Sequence, residues 1–444
     1  MPLSRREALG ALAAPLLAKE DTRPNFLFIL VDDLRYNALG CLGHPFVKTP
    51  NIDRIAREGA IFSNAFVTTP LCSPSRASFL TGRYVRSHKV LGNGDSDAIS
   101  HQLITWPRLL HDAGYETAYT GKWHMGTDAT PRPGFDRWVS FKGQGVYNDP
   151  PLNVDGQQVQ ATGYVTDVLT GYAEDFLRKP HSKPFALYLA HKAVHGPFTP
   201  AARHKDLFAD EKIVRTANAK DSLDGKPVLQ RMVNGQRAAP GDGSSDDLIK
   251  NQLRCLTAID EGVGRIWKAL EETRQLDNTF IVFTSDNGYF WGEHHLGDKR
   301  WAYEESLRIP MLMRYPKRIK AGSKIAQMVM NVDMAPTMLD LVGVSAPAEV
   351  QGRSILPLLK GPVKGWRTAF LSEYFMEPNY ARVPSWQAVR NERWKYVHYT
   401  ELKGMDELYD LKSDPLEMKN LIFDAASTLE ALKKDLDHFN SVIQ

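Results

Sequence analysis

Asn25-Phe26-Leu27-Phe28-Ile29-Leu30-Val31-Asp32-Asp33 is a short apolar run, rich in strand formers, that stops abruptly at two carboxylates. It is too short for a helix of average length and reads as a strand. The same device returns three times. Tyr115 to Thr120 leads into Gly121-Lys122-Trp123-His124, Phe185 to Ala190 into His191-Lys192-Ala193-Val194-His195, and Phe280 to Thr284 into Ser285-Asp286-Asn287-Gly288. Helical patterns over Asp53 to Glu58, Trp106 to Ala113, Val165 to Leu177 and Asn251 to Leu270 lie between these runs. Strands alternating with helices predict an α/β fold: a mostly parallel sheet sandwiched by helices. In such sheets ligands bind beyond the carboxyl ends of the strands, where all four polar clusters then meet. Singly each cluster reads as a turn; at four equivalent strand ends they read as one site.

The clusters have a definite chemistry. Asp32, Asp33, Asp286 and Asn287 offer only oxygen ligands, which select Ca²⁺ or Mg²⁺ over zinc. So many protein ligands favour Ca²⁺, because Mg²⁺ keeps several waters. Arg76, Lys122, His124, His195 and Lys299 add cations or groups able to become so. A divalent ion, carboxylates and cations together suit a tetrahedral oxyanion ester.

A further run, Cys72-Ser73-Pro74-Ser75-Arg76-Ala77-Ser78-Phe79-Leu80-Thr81-Gly82-Arg83, places a lone cysteine just ahead of a helix expected over Ser75 to Leu80 and stopped by Gly82. Pro74 near the first turn and serines able to cap it mark the start. Unpaired N–H groups there favour a bound anion. With Cys-x-Pro-Ser-Arg followed by Leu-Thr-Gly-Arg, the run resembles the maturation signature of type I sulfatases, and the resemblance extends over most of the chain from Asn25.

The resemblance implies an alkaline-phosphatase-like fold and a sulfuric ester hydrolase. It implies oxidation of Cys72 to formylglycine by a maturation enzyme. Asp32, Asp33, Asp286, Asn287 and the formylglycine would be ligands of one Ca²⁺. Arg76 would hold the hydrated aldehyde, and Lys122, His195 and Lys299 would bind sulfate. Asp286 would act as base, His195 and Lys299 would assist the leaving oxygen, and His124 would take a proton as sulfate is expelled. His195, just before Gly196-Pro197-Phe198, matches the family position, although spacing alone leaves His191 open. One of His294 and His295 is expected to line the leaving-group pocket.

The surrounding chain has 444 residues, enough for one large domain and a smaller appendage. Its 55 basic and 52 acidic side chains nearly cancel, so no nucleic-acid footprint is expected. Ser4-Arg5-Arg6 before an apolar stretch from Ala8 to Ala18 predicts a twin-arginine export signal over residues 1–20, hence a periplasmic or secreted bacterial protein. Ala11-Leu12-Ala13 and Leu16-Leu17-Ala18 both fit a cleavage site. No later segment approaches the length of a membrane span. Three cysteines do not make a disulfide framework, and Cys41 and Cys255 read as buried small hydrophobes.

A catalytic domain is expected over residues 24–360, interrupted by a long insertion from about 201 to 250 whose Gly/Ser/Asp-rich end reads as mobile. Asn331 to Leu341 reads as a helix closed by Gly343. A smaller α+β subdomain over 361–444 is expected to hold strands at Ala369 to Tyr374, Trp386 to Arg390 and Trp394 to Tyr399, then a helix from Leu421 to Phe439.

The segment from Asp286 to Pro310 resembles bacterial glycan sulfatases, including N-acetylglucosamine-6-sulfatases. Tyr289, Phe290, Trp291 and Trp301 are candidate faces for a sugar. A sulfated carbohydrate is therefore the expected substrate. The alternatives are a phosphonate monoester or phosphodiester hydrolase on the same fold, and a non-catalytic glycan-binding protein.

Overall fold

In the computed structural model, which describes residues 23–94, 96–239 and 243–443, ten strands build one sheet. The export stretch expected over 1–20 lies outside the described residues. In chain order the strands are β1 (Asn25–Val31), β2 (Ala60–Phe62), β3 (Glu116–Gly121), β4 (Arg137–Ser140), β5 (Pro151–Val154), β6 (Gln157–Gln160), β7 (Phe185–Ala190), β8 (Thr279–Ser285), β9 (Met311–Arg314) and β10 (Ser323–Ile325). Their order across the sheet is β10-β2-β9-β8-β1-β7-β3-β4-β5-β6. The central strands β8, β1, β7, β3 and β4 are mutually parallel, and antiparallel pairs flank them.

Both faces of β1 are buried, and successive residues divide between two cores. Leu27, Ile29 and Val31 pack under helices α1 (Pro50–Glu58), α4 (Val165–Arg178) and α5 (Asp246–Glu272). Phe26, Phe28 and Leu30 pack under α2 (Cys72–Thr81), α3 (Trp106–Asp112) and α6 (Met334–Leu341). This is the sandwich expected of a parallel sheet fed by helical crossovers. Helix α5 begins earlier than Asn251. Ser245 accepts the Leu248 N–H through its side chain, and Asp246 and Asp247 fill the first turn, so the polar end of the insertion is a helix start.

A second, four-stranded antiparallel sheet follows: β11 (Ala369–Tyr374), β12 (Trp386–Asn391), β13 (Trp394–Tyr399) and β14 (Glu407–Asp410). The fourth strand was not foreseen. Helix α7 (Ala426–Val442) starts beyond Leu421, whose N–H is held by Leu408 O at 2.8 Å. This sheet shares a core with Phe66, Leu71, Trp301 and Met330. The Glu373 N–H donates to Thr68 O at 2.8 Å and Trp386 Nε1 donates to Arg300 O at 2.8 Å, so it rests directly on the loops that surround the end of the main sheet.

Candidate active site

Register brings the four polar clusters together. Val31 lies opposite Ser285, Leu30 opposite Ala190, and Ala190 opposite Gly121, so β1, β8, β7 and β3 end side by side. The chain then crosses between neighbours: Asp286 N–H donates to Val31 O, Asp32 N–H to Ala193 O, and Lys122 N–H to Ala190 O. Carboxylate oxygens of Asp32, Asp33 and Asp286 lie within 4.8 Å of one another, all buried. Cys72 is the first residue of α2 rather than the residue ahead of it. The N-cap is Leu71, which has no capping side chain, and the serines do not cap. Its Sγ sits 3.4 Å from Asp32 Oδ1. The Ser73 N–H donates to Asn93 Oδ1 at 3.1 Å, and Gly82 ends the helix at φ 70°.

The cations face these carboxylates. Lys122 Nζ pairs with Asp32 and also donates to Gln144 Oε1 at 2.6 Å. Lys299 Nζ reaches both Asp33 oxygens at 2.6 and 2.7 Å. Arg76 Nε donates to Asp286 Oδ2 at 2.8 Å, its Nη1 to Lys122 O, and its buried Nη2 has no hydrogen-bond partner among the described residues. His195 Nε2 lies 3.7 Å from Asp33 Oδ2. Asp33 and His124 occupy the left-handed region at φ 60° and 61°, a strain typical of functional positions.

Burial alone would push every one of these carboxyls up. At Asp32 the charges of Lys122, His195, Arg76 and Lys299 outweigh it and hold the group well below the usual carboxylate range. Asp286 goes the other way, to about 7, through burial and then the adjacent Asp32 charge. Three carboxylates so close cannot all stay ionised cheaply: the cluster must take up a proton or a cation. Asn287 supplies the second sign of a cation site. Its Nδ2 is spent on Asp33 Oδ1 and Gly288 O, leaving the buried Oδ1 without a donor among the described residues. The donor set fits a hard divalent ion. Burial and then the Asp32 charge push the Cys72 thiol far up, which disfavours the nucleophilic thiolate.

Above the cluster opens a cavity of about 930 Å³, lined by Asp33, His124, Gln144, His195, Phe198, Tyr289, Asp298, Lys299 and Arg300, and by residues 375–380 and 382 from the loop after β11. The family model described as Sulfatase matches residues 24–344, and the one described as N-sulphoglucosamine sulphohydrolase, C-terminal, matches residues 292–441. The chain belongs to the sulfatase family. It is a sulfuric ester hydrolase of the alkaline-phosphatase-like fold.

Among its relatives, this sulfatase is 35% identical over 481 residues to the N-acetylglucosamine-6-O-sulfatase of Bacteroides thetaiotaomicron, covering 93% of this chain and 85% of that one. A solved structure of an enzyme in complex with its substrate, D-glucosamine-2-N,6-O-disulfate, superposes with a TM-score of 0.85 at 33% identity, covering 94% and 98% of the two chains. The phosphonate monoester hydrolase of Agrobacterium radiobacter has a TM-score of 0.78 at 24% identity, covering 95% and 96%, which shows the shared fold alone.

Most residues expected at the site of this sulfatase converge there. His195 lines the cavity, whereas His191 is buried away from it with neither ring nitrogen hydrogen-bonded among the described residues. The expectation for His294 and His295 is corrected. His294 Nδ1 pairs with Asp221 Oδ2 at 2.6 Å and its ring stacks on Tyr303, while His295 Nε2 binds Asp221 O at 2.6 Å. Left-handed backbone at both residues, φ 51° and 60°, accompanies this turn toward the insertion, and neither lines the cavity. Of the four candidate aromatic faces only Tyr289 lines it, joined by Phe198 and Tyr380. Phe290 and Trp301 are core, and Trp291 faces a separate small cavity with Arg35 and Phe46. Gln144, Glu377 and Tyr380 were missed, since they come from loops that carry no motif; Asp298 and Arg300 flank Lys299 in the chain and were legible only by that adjacency.

Proposed function

We propose that this sulfatase removes sulfate from a sulfated carbohydrate, using a formylglycine made from Cys72 by a maturation enzyme and one Ca²⁺. The observation that carries this reading is the meeting of three buried carboxylates, the undonated Asn287 Oδ1 and Cys72 Sγ beneath a cavity rimmed by lysine and histidine. Asp32, Asp33, Asp286, Asn287 and the residue made from Cys72 would hold the ion, which when bound polarises an ester oxygen and favours the ionised nucleophile. The hydrated aldehyde made from Cys72 would supply the attacking hydroxyl.

The chain's own groups do the rest. Arg76 orients the hydrate, and Asp286 serves as its base. Lys299 is held charged, because Asp33 and its neighbours outweigh burial, and with Lys122 it binds the sulfate oxygens. His195 donates its Nδ1 hydrogen to Gly196 O at 3.0 Å, since a carbonyl can only accept, so Nε2 is the atom that faces the leaving oxygen. Burial, then Lys122 and Lys299, push His195 down to about 4 in the free protein. An anionic ester between the ring and the lysines opposes that effect, so His195 gains its proton with substrate and passes it from Nε2. His124 is kept neutral by burial and by Lys122, as a proton acceptor must be.

The sugar assignment is supported by the names of the relatives and by a cavity that combines aromatic faces with polar groups. The subdomain expected over 361–444 would supply one wall of it through residues 375–380 and 382. The twin-arginine stretch supports export to the periplasm or medium, and among the described residues no helix is long and apolar enough to cross a membrane. The test is turnover of glucosamine 6-sulfate, nitrophenyl sulfate and a phosphonate monoester by protein whose Cys72 peptide has been shown by mass to carry the aldehyde. Sulfate esters should be preferred; a faster phosphonate reaction would replace this reading with that of a phosphonate hydrolase.

A further inference from the structure

The His195 turn is pinned from behind by three buried side chains that do not themselves line the cavity. The Tyr147 hydroxyl donates to His195 O at 2.6 Å, Lys192 Nζ donates to Gly196 O at 3.0 Å, and the Tyr164 hydroxyl donates to Thr199 O at 3.0 Å. They come from three places: the loop after β4, the end of β7 and the N-cap of α4. They also support one another. The two tyrosine rings stack at 5.7 Å, and Lys192 Nζ lies 4.8 Å from the centroid of the Tyr147 ring.

Lys192 is the telling member. It is 1% exposed, and the one hydrogen-bond partner of its ammonium among the described residues is a main-chain carbonyl. Burying an ammonium ion for one carbonyl, an aromatic face and the more distant charges of Asp32 and Asp33 is costly, and packing alone would be served better by methionine or leucine. The carbonyl it holds is also the one that accepts His195 Nδ1, and hence the one that leaves Nε2 toward the cavity. Lys192, Tyr147 and Gly196 O therefore fix both the position and the tautomer of that imidazole.

We propose that Tyr147 and Lys192, backed by Tyr164, are positioning residues that hold His195 on the leaving oxygen of the ester. The proposal rests on the acid role given to His195 above. A donor displaced by about 1 Å can cost about 100-fold in rate, and the loss falls on the step that needs the proton. An alkyl leaving group needs that proton, whereas nitrophenolate departs with little help.

Tyr147→Phe removes one hydroxyl and keeps the ring; Lys192→Met keeps the stem and removes the donor. With matured, Ca²⁺-loaded enzyme, both should lower kcat for glucosamine 6-sulfate by roughly 10- to 100-fold, with little change in KM and with nitrophenyl sulfate turnover nearly untouched. A merely structural role would lower both substrates together. His195→Ala is run alongside. If it discriminates between the substrates while Tyr147→Phe, confirmed folded by its thermal transition, does not, the positioning role is wrong and the acid role stands. If His195→Ala itself lowers both substrates equally, the acid role falls and the clasp proposal falls with it.

Discussion

Burial and the Asp32 carboxylate push the Cys72 thiol well above its ordinary range, which disfavours the thiolate, the form in which sulfur attacks. The same surroundings suit an aldehyde hydrate: a helix N-terminus, Arg76 and a cation site. Active preparations should therefore carry formylglycine at Cys72 by peptide mass, and Cys72→Ala should abolish turnover while far-UV circular dichroism stays unchanged. Sulfate ester hydrolysis at full rate by unmodified thiol protein would falsify this. At His195 the expected effect depends on the substrate. Loss of a positioned proton donor costs about 100- to 10,000-fold where the leaving group is a sugar alkoxide, so His195→Ala should damage glucosamine 6-sulfate hydrolysis far more than that of nitrophenyl sulfate. Steady-state kinetics on the two substrates decides it, and equal losses would leave His195 a binding role only.

Segments away from the strand ends are held by contacts that the sequence does not advertise. Asp221, in the insertion, receives His294 Nδ1 at 2.6 Å and Lys226 Nζ at 2.9 Å. Burial would raise its carboxyl, yet the hydrogen bonds from His294 and Lys226 prevail and hold it down at about 2. Asp221→Asn should cost about 1–3 kcal/mol in urea unfolding at neutral pH. Because the folded value lies below the unfolded one, the gap between variant and wild type should be full above pH 4 or so and close as pH falls toward about 2. A gap that widens on acidification would reverse the assignment. This contact also marks where reading the chain stops. Strands with polar ends were legible because a parallel sheet demands buried runs and delivers their ends to one edge. His294 and His295, five and four residues from Lys299, looked equally placed, but two left-handed residues turn both rings toward Asp221. Local order does not specify such a reversal. Nor does it reveal Gln144 on Lys122 or Tyr147 behind His195, because each pair joins loops more than twenty residues apart.

The two sheets meet around one cavity, and its floor is a cluster of buried carboxylates faced by cations. The second sheet contributes the Glu377 loop, whose carboxylate takes the Asn93 N–H at 2.9 Å and Arg300 Nε at 2.8 Å. Asn93 in turn holds the first turn of α2, so the wall around the sugar and the seat of Cys72 are one connected structure. At the floor, burial and then Asp32 raise Asp286 to about 7 in the ion-free protein. A divalent ion relieves the same repulsion, so its binding must displace whatever proton is there. Calcium affinity should accordingly rise with pH up to about 7 and then level off. Calorimetry in buffers of different ionisation enthalpy should report proton release below that pH. Chelation should remove activity, Ca²⁺ should restore it, and Ca²⁺ at about 100 times its Kd should stabilise the fold by about 2.7 kcal/mol. In Asp286→Asn the proton release should vanish and affinity should drop, since one charged ligand has gone. Full activity after exhaustive chelation, or a thermal transition indifferent to Ca²⁺, would show that the three carboxylates serve only the lysines and Arg76 that already face them.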